Sequence, residues 1–186
     1  MFTFETFAID GPVLITPKRF KDGRGAFMEV YRRDTFNTLI GQDIDFVQDN
    51  QSHSSKKGTI RGLHAQAPPH DQGKLVRCIG GEILDVAVDI RRSSPTFGQF
   101  VSVRLSARNK SQLWVPPGFL HGFETLLAQS TVCYKQTNYY NPDAEIAVSW
   151  QDPALGIDWT VGLQEAIVSY KDSEAPMLAN FETPFT

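Results

Sequence analysis

The chain has 186 residues, which suits one domain spanning residues 1–186 and suffices for a core that needs neither disulfides nor a structural metal. Hydrophobic residues make up 41% and charged residues 21%, a globular balance that excludes intrinsic disorder. Eighteen Lys and Arg stand against 21 Asp and Glu, a net charge of -3, so no basic surplus points to nucleic acid or to an anionic membrane.

The amino-terminal MFTFETFAIDGP carries acids and no basic stretch ahead of an apolar run, so it predicts no signal peptide. A β-rich run covers residues 27–32, and a short helix is expected over 34–40, with Asp34 as N-cap ahead of Phe36, Leu39 and Ile40. Further strands are predicted at 46–50 and 59–66. Residues 75–79 and 83–90 then flank Gly80-Gly81, which reads as a hairpin turn. Within 83–90, Leu84, Val86, Val88 and Ile90 share one apolar face, while Ile83, Asp85, Ala87 and Asp89 make a partly polar one. Strands at 99–105, 112–115 and 131–137 follow, the first two joined by a turn at Ala107-Arg108-Asn109. Many short strands and little helix predict an all-β antiparallel sandwich or barrel, a jelly roll with a ligand site in its mouth. Cys78 and Cys133 sit in apolar stretches without Cys-x-x-Cys spacing and read as buried, reduced thiols of a cytoplasmic protein. No stretch reaches the roughly 18 apolar residues of a membrane helix.

The four histidines are His53, His64, His70 and His121, with no His-x-His or His-x-x-x-His spacing. Pro116-x-Gly118-x-x-His121 matches only the second half of a cupin metal motif, so a metal site would have to assemble from scattered ligands. His64, in Arg61-Gly62-Leu63-His64, is either a core histidine bonded to a carbonyl or a proton acceptor oriented by a carboxylate, Asp172 being one candidate. Tyr134 is either a packed ring at a barrel edge or a neutral proton donor opposite such a base. Arg24, Arg61, Lys74 and Lys171 read singly as surface charges; gathered at one mouth they would suit a phosphorylated ligand. No P-loop and no Gly-x-Gly-x-x-Gly occurs, so a nucleotide would not be held as in a kinase or dehydrogenase.

Taken together, several ordered segments resemble the dTDP-4-dehydrorhamnose 3,5-epimerase family. They are Asp22-Gly-Arg-Gly-Ala-Phe-Met-Glu29, Phe46-Val-Gln-Asp-Asn50, Arg61-Gly-Leu-His64, Gln72-Gly-Lys-Leu-Val-Arg77, the run from Asp85 to Gly98, and Gln112-Leu-Trp-Val-Pro-Pro-Gly-Phe-Leu-His-Gly-Phe123. Tyr134-Lys135, Thr137-Asn-Tyr-Tyr140, Trp150-Gln-Asp-Pro153 and Lys171-Asp172 continue the order. The resemblance implies a cupin-type β-jelly-roll homodimer that uses no cofactor and no metal. It implies an isomerase acting on dTDP-4-dehydro-6-deoxy-D-glucose, whose C4 ketone acidifies the hydrogens at C3 and C5, to give the L-rhamnose precursor. By that resemblance His64 is the general base, Asp172 its orienting carboxylate, Tyr134 the acid on the opposite face and Lys74 the stabiliser of the enolate oxygen. His121 is a second substrate-contacting histidine. Arg24, Glu29, Gln48, Asp49, Asn50, Arg61, Glu145 and Lys171 match substrate-binding positions, some of them supplied by a neighbouring subunit.

Two residues depart from the family's pattern. Ala65 follows His64 where an aromatic residue is usual, and Gln51 follows Asn50 where His is usual; both are expected to bear on sugar fit or on the second inversion. Three rivals stand beside the main reading. One is an epimerase that inverts C3 or C5 alone in another deoxysugar pathway. The others are a non-catalytic nucleotide-sugar-binding cupin and a metal-dependent cupin oxygenase. The intact His64, Asp172, Tyr134 and Lys74 set argues against silence, and the missing His-x-His argues against the oxygenase.

Overall fold

The computed structural model describes residues 2–186. Within them the chain runs through β1 (Phe2–Thr6), β2 (Val13–Pro17), β3 (Phe20–Asp22), β4 (Gly25–Phe27), α1 (Arg33–Ile40), β5 (Gln48–Ser54), β6 (Ile60–Gln66) and β7 (Lys74–Gly80). It continues with β8 (Glu82–Asp89), β9 (Phe100–Ser106), β10 (Gln112–Val115), β11 (Phe119–Thr125), β12 (Ser130–Gln136), β13 (Glu145–Ala147) and α2 (Tyr170–Ser173). Two antiparallel sheets, ordered β1-β2-β10-β7-β12-β5 and β13-β6-β11-β8-β9, face each other as the predicted jelly roll, and β3 and β4 form a separate hairpin.

The sheets are held by three apolar clusters, one between them and one on each outer face. Val76, Cys78, Ile83, Ala87, Leu105, Leu113, Phe119, Phe123 and Val132 fill the space between the sheets. The outer face of the six-stranded sheet buries Ile15, Leu75 and Trp114 under Phe36 of α1, with Phe46 and Tyr31 stacked around them. The outer face of the other sheet buries Leu63, Val86, Val88, Ile90 and Leu120 under Val148, Leu155, Trp159 and Phe181. Each fully buried side chain of this size contributes roughly 1.5–3 kcal/mol. This layering explains β8: its uniformly apolar face is the outer one, covered by the C-terminal segment, and its partly polar face lines the barrel.

Four local expectations are corrected. Gly80-Gly81 is no hairpin turn, because β7 pairs with β10 and β12 while β8 pairs with β11 and β9. The chain crosses there from one sheet to the other, and Gly81, at φ +72°, has no room for a Cβ against Ser130. Only Phe27 of the 27–32 run is in a strand, β4. Asp34 does not cap α1; Arg32 is the N-cap residue, and the Asp34 carboxylate accepts from Arg32 Nε (2.9 Å) and from the Thr35 amide (2.6 Å). Cys78 is buried as expected, whereas Cys133 is half-buried, its thiol donating to Gln51 Oε1. The strand β11 lies outside the predicted runs: all seven of its residues are buried, so both faces are covered and no period-2 pattern marks it.

After β13 the chain has little regular structure, yet buried polar anchors hold it. Glu124, fully buried, accepts from the Thr160 amide (2.6 Å) and hydroxyl (2.5 Å), and Asp152 accepts from the Leu178 amide (2.5 Å). Ile167 lies parallel to Thr59, its carbonyl accepting from the Ile60 amide and its amide donating to the Gly58 carbonyl. That docking sets α2 against the start of β6. No helix is long and apolar enough to cross a membrane.

Candidate active site

The interior of the barrel is apolar at one end and polar at the other, where a cavity of about 560 Å³ opens between the sheets. Its wall is built by strand alternation: side chains two apart on a strand share a face. Tyr134 and Gln136 follow Val132 on β12, Lys74 precedes Val76 on β7, and His121 stands between Phe119 and Phe123 on β11. His64 is the direct register partner of His121. A bulge in this pairing lies between His121 and Phe123, where β6 and β11 approach closely. A Cβ on Gly62, at φ +119°, would sit 2.6 Å from the Gly122 Cα, so glycine is required there.

His64 Nε2 meets Asp172 Oδ1 at 2.6 Å. Asp172 is buried, its Oδ2 accepts from the Gly62 amide at 3.4 Å, and its own amide donates to the Oγ of Ser169, the N-cap of α2. Burial pushes the Asp172 carboxyl up, but the hydrogen bond and charge of His64 outweigh it and hold the group below the usual carboxylate value. His121 Nε2 meets Asp85 Oδ1 at 2.8 Å; both residues are buried, and Asp85 Oδ2 has no hydrogen-bond partner among the described residues.

Lys74 is buried and donates from Nζ to the His64 carbonyl at 3.3 Å. Desolvation lowers its pKa to about 8, against the opposing pull of Glu145 and Asp85. Burial raises the Tyr134 phenol, with Arg61 and Asn50 acting against it, so the ring hydroxyl stays neutral at pH 7. At the rim, Glu145 Oε2 accepts from Tyr140 Oη at 2.9 Å and pairs with Lys171. Burial raises Glu145, yet Lys171, Tyr140 and His64 together hold it below its ordinary value. Arg61 reaches the same cavity, donating to Ser54 Oγ (3.3 Å) and the His53 carbonyl (3.2 Å).

Nine residues singled out from sequence thus line one cavity: Asn50, Arg61, His64, Lys74, His121, Tyr134, Glu145, Lys171 and Asp172. Gln48 stands behind Asn50 and bonds it at 3.1 Å. Three others do not reach the cavity. Asp49 faces the opposite side of β5 and pairs with Lys135 at 3.1 Å. Arg24 pairs with Asp22 at 2.7 Å on the β3–β4 hairpin, its side chain 92% exposed, and Glu29 is exposed beyond that hairpin. The two departures differ in place. Ala65 packs into the outer cluster with Leu63 and Ile146 and also borders the cavity, whereas Gln51 bonds Cys133 on the far face of the sheet and does not reach it. Sequence reading missed Gln66, Gln72, Gln136 and Asp85 as site residues. The signal for Asp85 was an acid within the apolar run of β8, and for Gln136 its place two residues beyond Tyr134. Among the described residues, no three His, Cys, Asp or Glu side chains converge as a metal-holding group.

The arrangement supplies an accessible imidazole with a carboxylate behind it, a neutral phenol and a buried cation around one space. That set can remove a proton next to a carbonyl, hold the resulting oxyanion and return a proton. Comparison with known proteins agrees with this chemistry. Residues 6–180 match the family model described as dTDP-4-dehydrorhamnose 3,5-epimerase. A dTDP-4-dehydrorhamnose 3,5-epimerase of Salmonella typhimurium is 53% identical over 171 residues, covering 92% of each chain. A 3,5-epimerase from Legionella pneumophila, solved in complex with dTDP-4-keto-L-rhamnose, superposes with a TM-score of 0.93 at 44% identity, covering 98% of this chain and 95% of that one. A Bacillus anthracis dTDP-4-dehydrorhamnose 3,5-epimerase with TDP and PPi bound gives 0.92 at 43% identity, with 96% and 100% covered.

Proposed function

The chain belongs to the dTDP-4-dehydrorhamnose 3,5-epimerase family, and from that premise we propose that it inverts C3 and C5 of dTDP-4-dehydro-6-deoxy-D-glucose to give dTDP-4-dehydro-L-rhamnose. The C4 ketone makes the hydrogens at C3 and C5 acidic. His64 removes one, and Asp172 balances the charge the ring acquires. The electrons move onto the C4 oxygen, which faces the Lys74 ammonium in a poorly solvated setting where its field is strong. Tyr134 delivers a proton to the other face of the carbon as the C4 carbonyl re-forms, which inverts it; His64 then releases its proton and Tyr134 regains one by exchange with solvent, and the cycle repeats at the second position. Arg61 and Lys171 meet the diphosphate. The observation that carries this reading is the 2.6 Å His64–Asp172 pair in one cavity with a buried lysine and a neutral tyrosine.

The site is completed by a second copy of the chain. Arg24 and Glu29 lie on or just beyond a hairpin whose Phe20 and Phe27 are 52% and 71% exposed, features that suit contact with a partner subunit. Mixing Arg24→Ala with His64→Ala protein tests this. If Arg24 serves the other subunit's cavity, the mixed dimer keeps one complete site, and activity returns to about a quarter of wild type in a statistical mixture. No recovery after subunit exchange rules against a shared site.

The reaction itself is tested by incubating the protein with dTDP-4-dehydro-6-deoxy-D-glucose in deuterated buffer and following C3 and C5 by NMR. Deuterium at both carbons with inverted products is expected. Label and inversion at one carbon would make it a single-centre epimerase, and binding without label would make it a binding module.

A further inference from the structure

Gln136 ends β12 two residues beyond Tyr134 and in register with Lys74. Its Oε1 accepts from Gln48 Nε2 (2.7 Å), Gln72 Nε2 (3.1 Å) and Asn50 Nδ2 (3.3 Å). The two ends of a glutamine amide are nearly isosteric, so their orientation follows from the hydrogen-bond network. Two backbone groups decide it. The Tyr140 amide donates to Gln48 Oε1 at 2.9 Å, which turns Gln48 Nε2 toward Gln136. The Asn138 carbonyl accepts from Gln72 Nε2 at 2.8 Å, which places that nitrogen beside Gln136 as well. A nitrogen of Gln136 at this point would oppose donors on every side; only the oxygen satisfies them.

Gln136 Nε2 is therefore locked away from the cluster, and it bonds no other described residue. Gln72 is its complement: its nitrogen is occupied twice, and its Oε1 has no partner among the described residues. Both residues are buried, at 5% and 8% exposure, and both line the cavity. Neither free atom is sealed from the solvent space. The cavity thus holds a fixed donor and a fixed acceptor, both uncharged, close to the strand position of Lys74.

We propose that Gln136 Nε2 and Gln72 Oε1 form a hydroxyl-recognition pair for the hexose of the sugar nucleotide, the first donating to a ring hydroxyl and the second accepting its proton. This rests on the sugar-nucleotide reading of the cavity. A hydroxyl is the group that both donates and accepts, and a neutral pair suits it, whereas the diphosphate is served by Arg61 and Lys171. Proximity to Lys74 assigns the pair to the sugar rather than to the nucleotide, because the ketone to be enolised belongs beside that cation.

The test compares calorimetric binding of dTDP with that of dTDP-glucose, which carries hydroxyls but no ketone and does not react. Two variants are used. Gln136→Leu removes donor and acceptor together; Gln136→Glu keeps an acceptor for Gln48, Asn50 and Gln72 and removes the donor, so it retains the fold if the apolar variant does not. The ratio of the two dissociation constants is the readout, which cancels any charge effect on the shared diphosphate. In the variants the ratio is expected to move about five- to tenfold against dTDP-glucose, the loss of one hydrogen bond to a ligand hydroxyl. Wild-type protein that binds neither ligand removes the sugar-nucleotide reading and this inference with it. Wild-type binding with an unchanged ratio in a folded variant overturns this inference alone.

Discussion

His64 and His121 face each other as register partners on β6 and β11, and each is tethered through Nε2 to its own carboxylate, Asp172 at 2.6 Å and Asp85 at 2.8 Å. Both rings are thereby left with Nδ1 as the nitrogen free of a carboxylate. Their surroundings separate them. The His64 side chain is 28% exposed and its carboxylate comes from α2, whereas His121 borders the cavity with only 8% of its side chain exposed and Asp85 behind it is fully buried. A proton acceptor must reach a substrate carbon, so we propose the more accessible ring as the base and the more buried one as a fixed contact.

His64→Asn is expected to slow deuterium exchange at C3 and C5 by roughly 10²–10⁴-fold, the usual contribution of a general base, while circular dichroism stays unchanged. Asp172→Asn should also be slow, since an amide cannot balance the imidazolium charge. A loss under about tenfold for His64→Asn would remove it from the role of base.

Lys74 ties activity and stability to pH in opposite ways. It must carry its proton to stabilise the enolate oxygen, so kcat/KM should fall as pH rises through about 8, well before the phenol of Tyr134 ionises. For stability, the folded value lies below the unfolded 10.5, so the charged lysine burdens the folded state below about pH 8 and the burden lifts as pH rises toward 10.5. A shift of this size corresponds to about 3 kcal/mol. Lys74→Met should therefore be inactive yet melt higher than wild type at pH 7, with the difference shrinking by pH 10. A variant that melts lower at pH 7 would contradict the buried-charge account.

Tyr134→Phe separates proton removal from proton delivery. The ring and its packing remain and only the donor is lost. The enolate still forms against Lys74, and His64 can return a deuteron to the face it deprotonated. Exchange with retention should outlast inversion, as read by NMR of the recovered sugar. Equal losses of exchange and inversion would make Tyr134 a packing or uniformly binding residue.

Asp89 shows where acid weakens the fold away from the cavity. Burial pushes its carboxyl up, but bonds from Arg91, Ser94 and Thr96 outweigh that and hold it at about 2. Its folded value lies below the unfolded one, so the stability it contributes is present above about pH 4 and is lost as pH falls through about 2. The shift corresponds to roughly 2–3 kcal/mol. Asp89→Asn should be less stable at pH 6 and show a flatter dependence of stability between pH 4 and pH 2 in urea titrations. A variant with the wild-type slope would place the acid sensitivity elsewhere.

Short-range pattern in the chain marked several of the strands and the faces they offer. The alternation in β8 and the position of β10 are legible because a side chain's face depends on parity along the strand alone. The ordered motifs, from Arg61-Gly-Leu-His64 to Lys171-Asp172, likewise carry the family and the types of the reacting groups. Parity does not say which face is inside. The polar face of β8 proved to be the barrel wall, because the C-terminal segment covers the other. Nor does a Gly-Gly pair distinguish a hairpin from a passage between sheets; that depends on which strands already occupy the neighbouring ladders. Pairing of His64 with Asp172 spans 108 residues, and its geometry exists only because Glu124, Asp152 and the Ile167 backbone pin an irregular segment across the barrel mouth. The orientation of the Gln136 amide was decided in the same way, by backbone groups of Asn138 and Tyr140 acting through two other glutamines. Such hydrogen bonds depend on positions in space that no local run of residues encodes.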